Sequence, residues 1–198
     1  MRLFKRFIVS ACILPAALSI PSPRVSAGQA VPQTKLNAVL VLSEEFCHSN
    51  LKRGNGWTSV KEEFDVGEDL CHGLAESLSP VFASLSRQYE VPAPGAGETD
   101  IILIPKVGDI GATQKIYAFS NRELVVILEW TVLDRSGKTL WVGTIEASAK
   151  RHMGNAFTHG KNMRKIREDV VADAVRKSVE AIGSVPGLMN GAAAAQAR

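Results

Sequence analysis

Leu124-Val-Val-Ile-Leu-Glu-Trp-Thr-Val-Leu133 and Thr139-Leu-Trp-Val-Gly-Thr-Ile-Glu-Ala-Ser-Ala149 stand on either side of Asp134-Arg-Ser-Gly-Lys138. Both flanks are dense in β-branched and aromatic residues, which suit a pleated, partly buried strand. Between them Gly137 can take the positive φ of a short turn, and Asp134 can accept hydrogen bonds from its own turn backbone. The pattern predicts a β-hairpin. It sets Trp130 and Trp141 near one another across the strands without fixing face or register.

Working outward, Asp100-Ile-Ile-Leu-Ile-Pro105 is a short strand closed by its proline, and Lys106–Thr113, with two glycines, reads as a loop. A further strand is expected over Gln114–Phe119, before a turn at Ser120-Asn121. Upstream, Val39–Leu42 within Leu36–Phe46 has the composition of a central strand, and Asn50–Trp57 that of a loop. Asp65 and Glu68 fit a capping box. Leu70, Leu74 and Leu78 follow on one helical face, extended by Val81, Phe82 and Leu85, with Pro80 kinking or dividing the helix. Val91–Gly97 is a linker. Downstream, Met163, Ile166, Val170, Ala174, Ala181 and Ile182 trace a second helical face, ended by Gly183 and Pro186. The order β-α-β-β-β-α predicts a two-layer α/β sandwich: one mixed or antiparallel sheet of about four strands, with two helices on one face. A single domain over 28–186 is expected, followed by a disordered alanine-rich tail over 187–198.

The chain has 198 residues and a formal net charge of +3. Residues 1–27 carry four basic side chains (Arg2, Lys5, Arg6 and Arg24) and no acidic ones, leaving 19 basic against 20 acidic residues in the remainder. The basic excess therefore belongs to the first segment, and a global electrostatic case for nucleic acid is excluded. That segment reads as a cleaved secretory signal. It has a basic start, thirteen uncharged apolar residues at Ile8–Ile20, a Pro21-Ser-Pro23 break and small residues at Val25-Ser-Ala27. The apolar run is shorter than the roughly 20 residues of a membrane-spanning helix. Cleavage after Ala27 delivers the domain to the periplasm. The alternative is lipidation at Cys12, after Val9-Ser-Ala11, which would hold it as a lipoprotein on the periplasmic face of the outer membrane.

Without Cys12 the chain keeps one pair of cysteines, Cys47 and Cys71. In an oxidising compartment the pair reads as a disulfide. The alternative is a metal site built from Cys47, His48, Cys71 and His72, although neither Cys-His pair has the spacing of a zinc knuckle. No cofactor motif is present: the chain has no P-loop, dinucleotide fingerprint, His-Glu-x-x-His helix or Gly-x-Ser-x-Gly elbow. Glu44-Glu45 and Glu62-Glu63 read as solvated surface. Lys150–Lys177 holds eight basic and three acidic residues, a surface suited to an anionic lipid, a membrane surface or an acidic partner.

Three stretches carry a resemblance. They are Thr99–Pro105, the strand-turn-strand Leu124–Trp141 with its Leu-Asp-x-x-Gly-Lys-x-x-Trp portion, and the helix Lys161–Ile182. Together they resemble small proteins and lipoproteins of the bacterial cell envelope, including auxiliary lipoproteins of ABC-type transport systems and outer-membrane assembly lipoproteins. The resemblance implies a non-enzymatic α/β domain that binds another envelope protein. Trp130, Trp141, Arg164, Lys165 and Arg167 are the candidate contact residues. A metal-binding protein and a periplasmic enzyme with a noncontiguous site are the alternatives.

Overall fold

The computed structural model describes residues 34–53, 62–95, 97–114, 121–154, 158–186 and 188. The expected leader, the strand and turn over 115–120 and the tail beyond 188 lie outside them, while Leu188 itself is buried. Among the described residues, seven strands and three α-helices follow in the order β1 (Asn37–Val41), α1 (Glu44–Cys47), β2 (Asn50–Arg53), β3 (Glu62–Asp65), α2 (Gly67–Leu78), β4 (Ser84–Gln88), β5 (Ile101–Gln114), β6 (Asn121–Asp134), β7 (Thr139–His152) and α3 (His159–Gly183). The main sheet is mixed, with strand order β4-β1-β5-β6-β7. β1 runs parallel to β4 and β5, whereas β5, β6 and β7 form an antiparallel meander. α2 and α3 bury their apolar sides on one face of this sheet, so the architecture is the expected two-layer sandwich.

The central hairpin forms as its residues dictate. Gly137 sits at φ 83°, and Asp134 Oδ1 accepts from Ser136 N–H at 2.8 Å and Lys138 N–H at 3.0 Å. Hydrogen bonding from the Ser136 hydroxyl leads the effects that hold the Asp134 carboxyl below the ordinary carboxylate range. Along β6, Leu124, Val126, Leu128, Trp130 and Val132 face the helices; they meet Ile145 and Ala147 of β7 and Ile166, Val170, Ala174 and Ile182 of α3 in one core.

Four elements depart from expectation. The helix from Asp65 stops at Leu78, and Pro80 lies in a 3₁₀ turn, Ser79–Val81. Val81 and Phe82 are buried, but the chain then extends into β4, so Leu85 is a strand residue. Asp65 is the last residue of β3, paired with Asn50, and caps nothing; the helix starts from Val66 without a side-chain cap. The expected loop at 50–57 begins instead with β2, half of a small antiparallel ribbon. Finally, Lys106–Thr113 continues β5, because a bulge at Gly108 absorbs one residue between Val107 and Asp109 and keeps the ladder with β6 intact.

The second sheet face is also partly covered. The β4–β5 connection runs back along β1, from Leu42 N–H donating to Gln88 O to Asp100 N–H donating to Asn37 O. On its way Gly95 N–H donates to Arg135 O, and Arg135 donates to Gly97 O. With α2 and α3 filling the first face, this proline-rich segment roofs the second, where Val39 (2% exposed), Val41 and Ile102 form a minor core.

Candidate functional site: the second sheet face and the basic helix

The two tryptophans expected at the surface lie on the helical side. Trp130 is fully buried, and its Nε1–H donates to Ser178 Oγ of α3 at 3.2 Å. It is therefore a core residue and not a contact residue. Its register partner is Gly143, while Trp141 pairs with Val132. Trp141 is half-buried, and its six-membered ring lies over Gly143, in the space a Cβ would fill. Glycine at 143 is thus what lets one indole fold down beside the position facing the other.

Period-two alternation sends the neighbouring side chains to the opposite face. On β6 these are Val125, Ile127, Thr131 and Leu133, all half-buried, with exposed Glu129 among them. Val142 of β7, opposite Thr131, is 65% exposed, and Ile104 of β5 flanks Thr131 on its other side. Leu140, the extra residue at a bulge opposite Val132 and Leu133, is 39% exposed. The β6–β7 half of this face thus mixes apolar and polar side chains, and Leu140 and Val142 are its exposed large hydrophobic members. Sequence reasoning missed Val142 and Leu140 because it followed the tryptophans. The usable signal was Glu129 and Glu146, each of which marks the outward parity of its strand.

α3 divides the predicted basic residues by role. Arg167 Nε lies 3.2 Å from Asp69 Oδ2 and ties α3 to α2. Arg151 of β7 pairs with Asp169 at 2.6 Å. Arg164 and Lys165 are exposed and project from the first half of α3. They form a second, cationic candidate surface on the helical side of the sheet, and Arg167 is engaged within the fold. Farther along, Asp173 and Lys177 reach the outer edge of β7: Ser148 N–H donates to Asp173 Oδ2 at 3.2 Å, and Lys177 Nζ donates to Glu146 O at 2.8 Å.

Partial burial works to raise the Asp173 pKa, but donors from Lys177, Arg176 and Ser148 outweigh it and hold the carboxyl below its ordinary 3.8. A depressed carboxylate stabilises the fold above the unfolded-state pKa, and that contribution is lost as pH falls through the folded value. Wild type and Asp173→Asn should therefore differ most above pH 4 and converge below it. Urea unfolding at stepped pH measures this, and a constant gap down to strong acid contradicts it.

Cys47 and Cys71 form a disulfide, with Cα atoms 5.6 Å apart, joining α1 to α2. This corrects the metal alternative, because both thiols are spent on each other. His48 and His72 are exposed, and among the described residues no group of three or more His, Cys, Asp and Glu converges as a metal would require. No described helix is long and apolar enough to cross a membrane.

No protein-family model matches the chain, and no curated protein matches it by sequence. Solved structures do match. Protein XCC0632 from Xanthomonas campestris shares the fold with a TM-score of 0.56 at 13% identity, over 89% of this chain and 97% of that one. Uncharacterised lipoprotein B from Nitrosomonas europaea gives a TM-score of 0.49 at 14% identity, over 79% and 88% of the two chains. A minor lipoprotein from Acinetobacter baumannii gives 0.47 at 14% identity, over 77% and 94%.

Proposed function

We propose that this chain is an exported, non-catalytic accessory protein of the bacterial cell envelope. It acts in the periplasm by binding another envelope component. The observation that carries this reading is the exposure of Val142 and Leu140 on β7, beside the sheet face away from both helices. Neighbouring large hydrophobic side chains held out in water gain by being covered by a partner. Arg164 and Lys165 add a cationic surface that would steer an acidic protein or anionic lipid toward the domain. The export pattern of residues 1–27 supports the compartment. For the enzyme alternative, the closest pairing of titratable side chains at the groove beside β4 is His72 with Glu76, 3.6 Å apart. Their side chains are 74% and 75% exposed, far from the enclosed setting that tunes catalytic groups.

Copurification from native envelope fractions tests the reading. Val142→Glu, and separately the pair Arg164→Glu with Lys165→Glu, should each lower recovery of a specific partner by about tenfold or more. If folded variants of both surfaces retain every specific partner, the accessory role loses its physical basis.

A further inference from the structure

We propose that two copies of this chain associate through β4, the strands running antiparallel about Ser86, to make one continuous ten-stranded sheet. The two edges of the sheet differ in kind. At β7, side chains of α3 already occupy the outward Ser148 N–H and Glu146 carbonyl. At the other edge β4 pairs, among the described residues, with β1 alone. Its sequence, Ser84-Leu-Ser-Arg-Gln88, contains no lysine, proline or bulge, the devices that usually keep a free edge from pairing.

The surroundings of β4 select a second copy as the occupant. Leu85 and Arg87 are register partners of Ala38 and Leu40, which face the helices, so both lie on the helical side of the strand. There they line an open groove of about 540 Å³ with His72, Ala75, Glu76 and Pro80. Arg87 is exposed, and its guanidinium has no hydrogen-bond or ion-pair partner among the described residues. Antiparallel pairing about Ser86 sets Leu85 opposite the Arg87 of the second copy. Each guanidinium then enters the other copy's groove beside Glu76, with its alkyl stem against Leu85. The contact is reciprocal, as a two-fold interface requires. The same register sets Tyr89, 76% exposed in one chain, opposite Ala83 of the other and so removes an aromatic surface from water.

Sedimentation equilibrium on the purified protein, with no envelope component present, tests this separately from the partner reading. A monomer–dimer equilibrium is expected. Arg87→Glu and Glu76→Arg should each raise the dimer dissociation constant by about tenfold or more, and the double variant should restore it. In wild type, β4 amides should exchange more slowly as protein concentration rises, a readout that needs no variant. A monomer at every concentration overturns the proposal. So does a dimer indifferent to both charges, because it must form elsewhere, and so does growth beyond the dimer, which indicates head-to-tail contact.

Discussion

Trp130→Ala is expected to destabilise the protein by about 3–5 kcal/mol, a large part of what holds a domain of this size together. The indole is fully buried between the sheet and α3, among the largest side chains of the core, and alanine would leave a cavity that the surrounding ladder cannot close. The substitution also removes the donor to Ser178, itself fully buried, and so strands a polar group without its indole partner. Trp130→Phe keeps most of the volume and loses the hydrogen bond, so its cost should be nearer 1–2 kcal/mol. Urea unfolding of the three proteins checks the order. If Trp130→Ala unfolds at the wild-type midpoint, the indole belongs at the surface and the assigned parity of β6 is wrong.

Loss of the Cys47–Cys71 bond comes next in size. The linkage closes a sequence separation of 24 residues, spanning α1, the β2–β3 ribbon and the start of α2. In the chain-entropy account a loop of that length contributes about 3 kcal/mol by restricting the unfolded chain. The bond adds to a junction that Gly67 N–H donating to Ser49 O and the buried Phe46 and Val66 also hold, so its loss should weaken the fold without abolishing it. The double variant Cys47→Ala, Cys71→Ala should unfold at lower urea than wild type and be indifferent to reductant. Wild type in reductant should fall towards it. Non-reducing peptide mapping should recover the two cysteine peptides as one linked species; free thiols at both positions would contradict the assignment.

The fold was readable wherever hydrophobic period and burial coincide. β6 alternates without interruption because both its neighbours are strands, and α3 repeats its buried face from Ile166 to Ile182 because it lies along the sheet. The reading failed at the edges. β4 is polar since it borders solvent, and Leu85 falls at a helical spacing after Val81 and Phe82, so the strand was absorbed into the preceding helix. The second half of β5 is interrupted by Lys106, Gly108 and Asp109, and only the pairing with β6 shows that a bulge carries the strand onward. The β2–β3 ribbon has charged residues at Lys52, Arg53, Glu62 and Glu63 and no hydrophobic period to announce it.

The candidate surface was half legible. Arg164 and Lys165 project as the helical period requires, but an isolated sequence does not show that Arg167 finds Asp69 on another helix. The tryptophans drew attention as aromatic side chains in a β context, the profile of a contact residue. Parity decides otherwise. On β6 the set containing Trp130 is apolar from Leu124 to Val132, whereas the alternate set includes Glu129 and Thr131; on β7 the set containing Val142 includes Thr144 and Glu146. The surface face is therefore the one that tolerates charge, and its exposed apolar members are the ones that need a partner.

Site-specific photo-crosslinking in living cells tests that conclusion most directly. A photoreactive side chain placed at Val142 or at Lys165 should give an adduct with the same envelope component, and one at exposed Glu44 on α1 should give none. Equal adducts from all three positions, or none from Val142 and Lys165 in a folded and exported protein, would contradict the account.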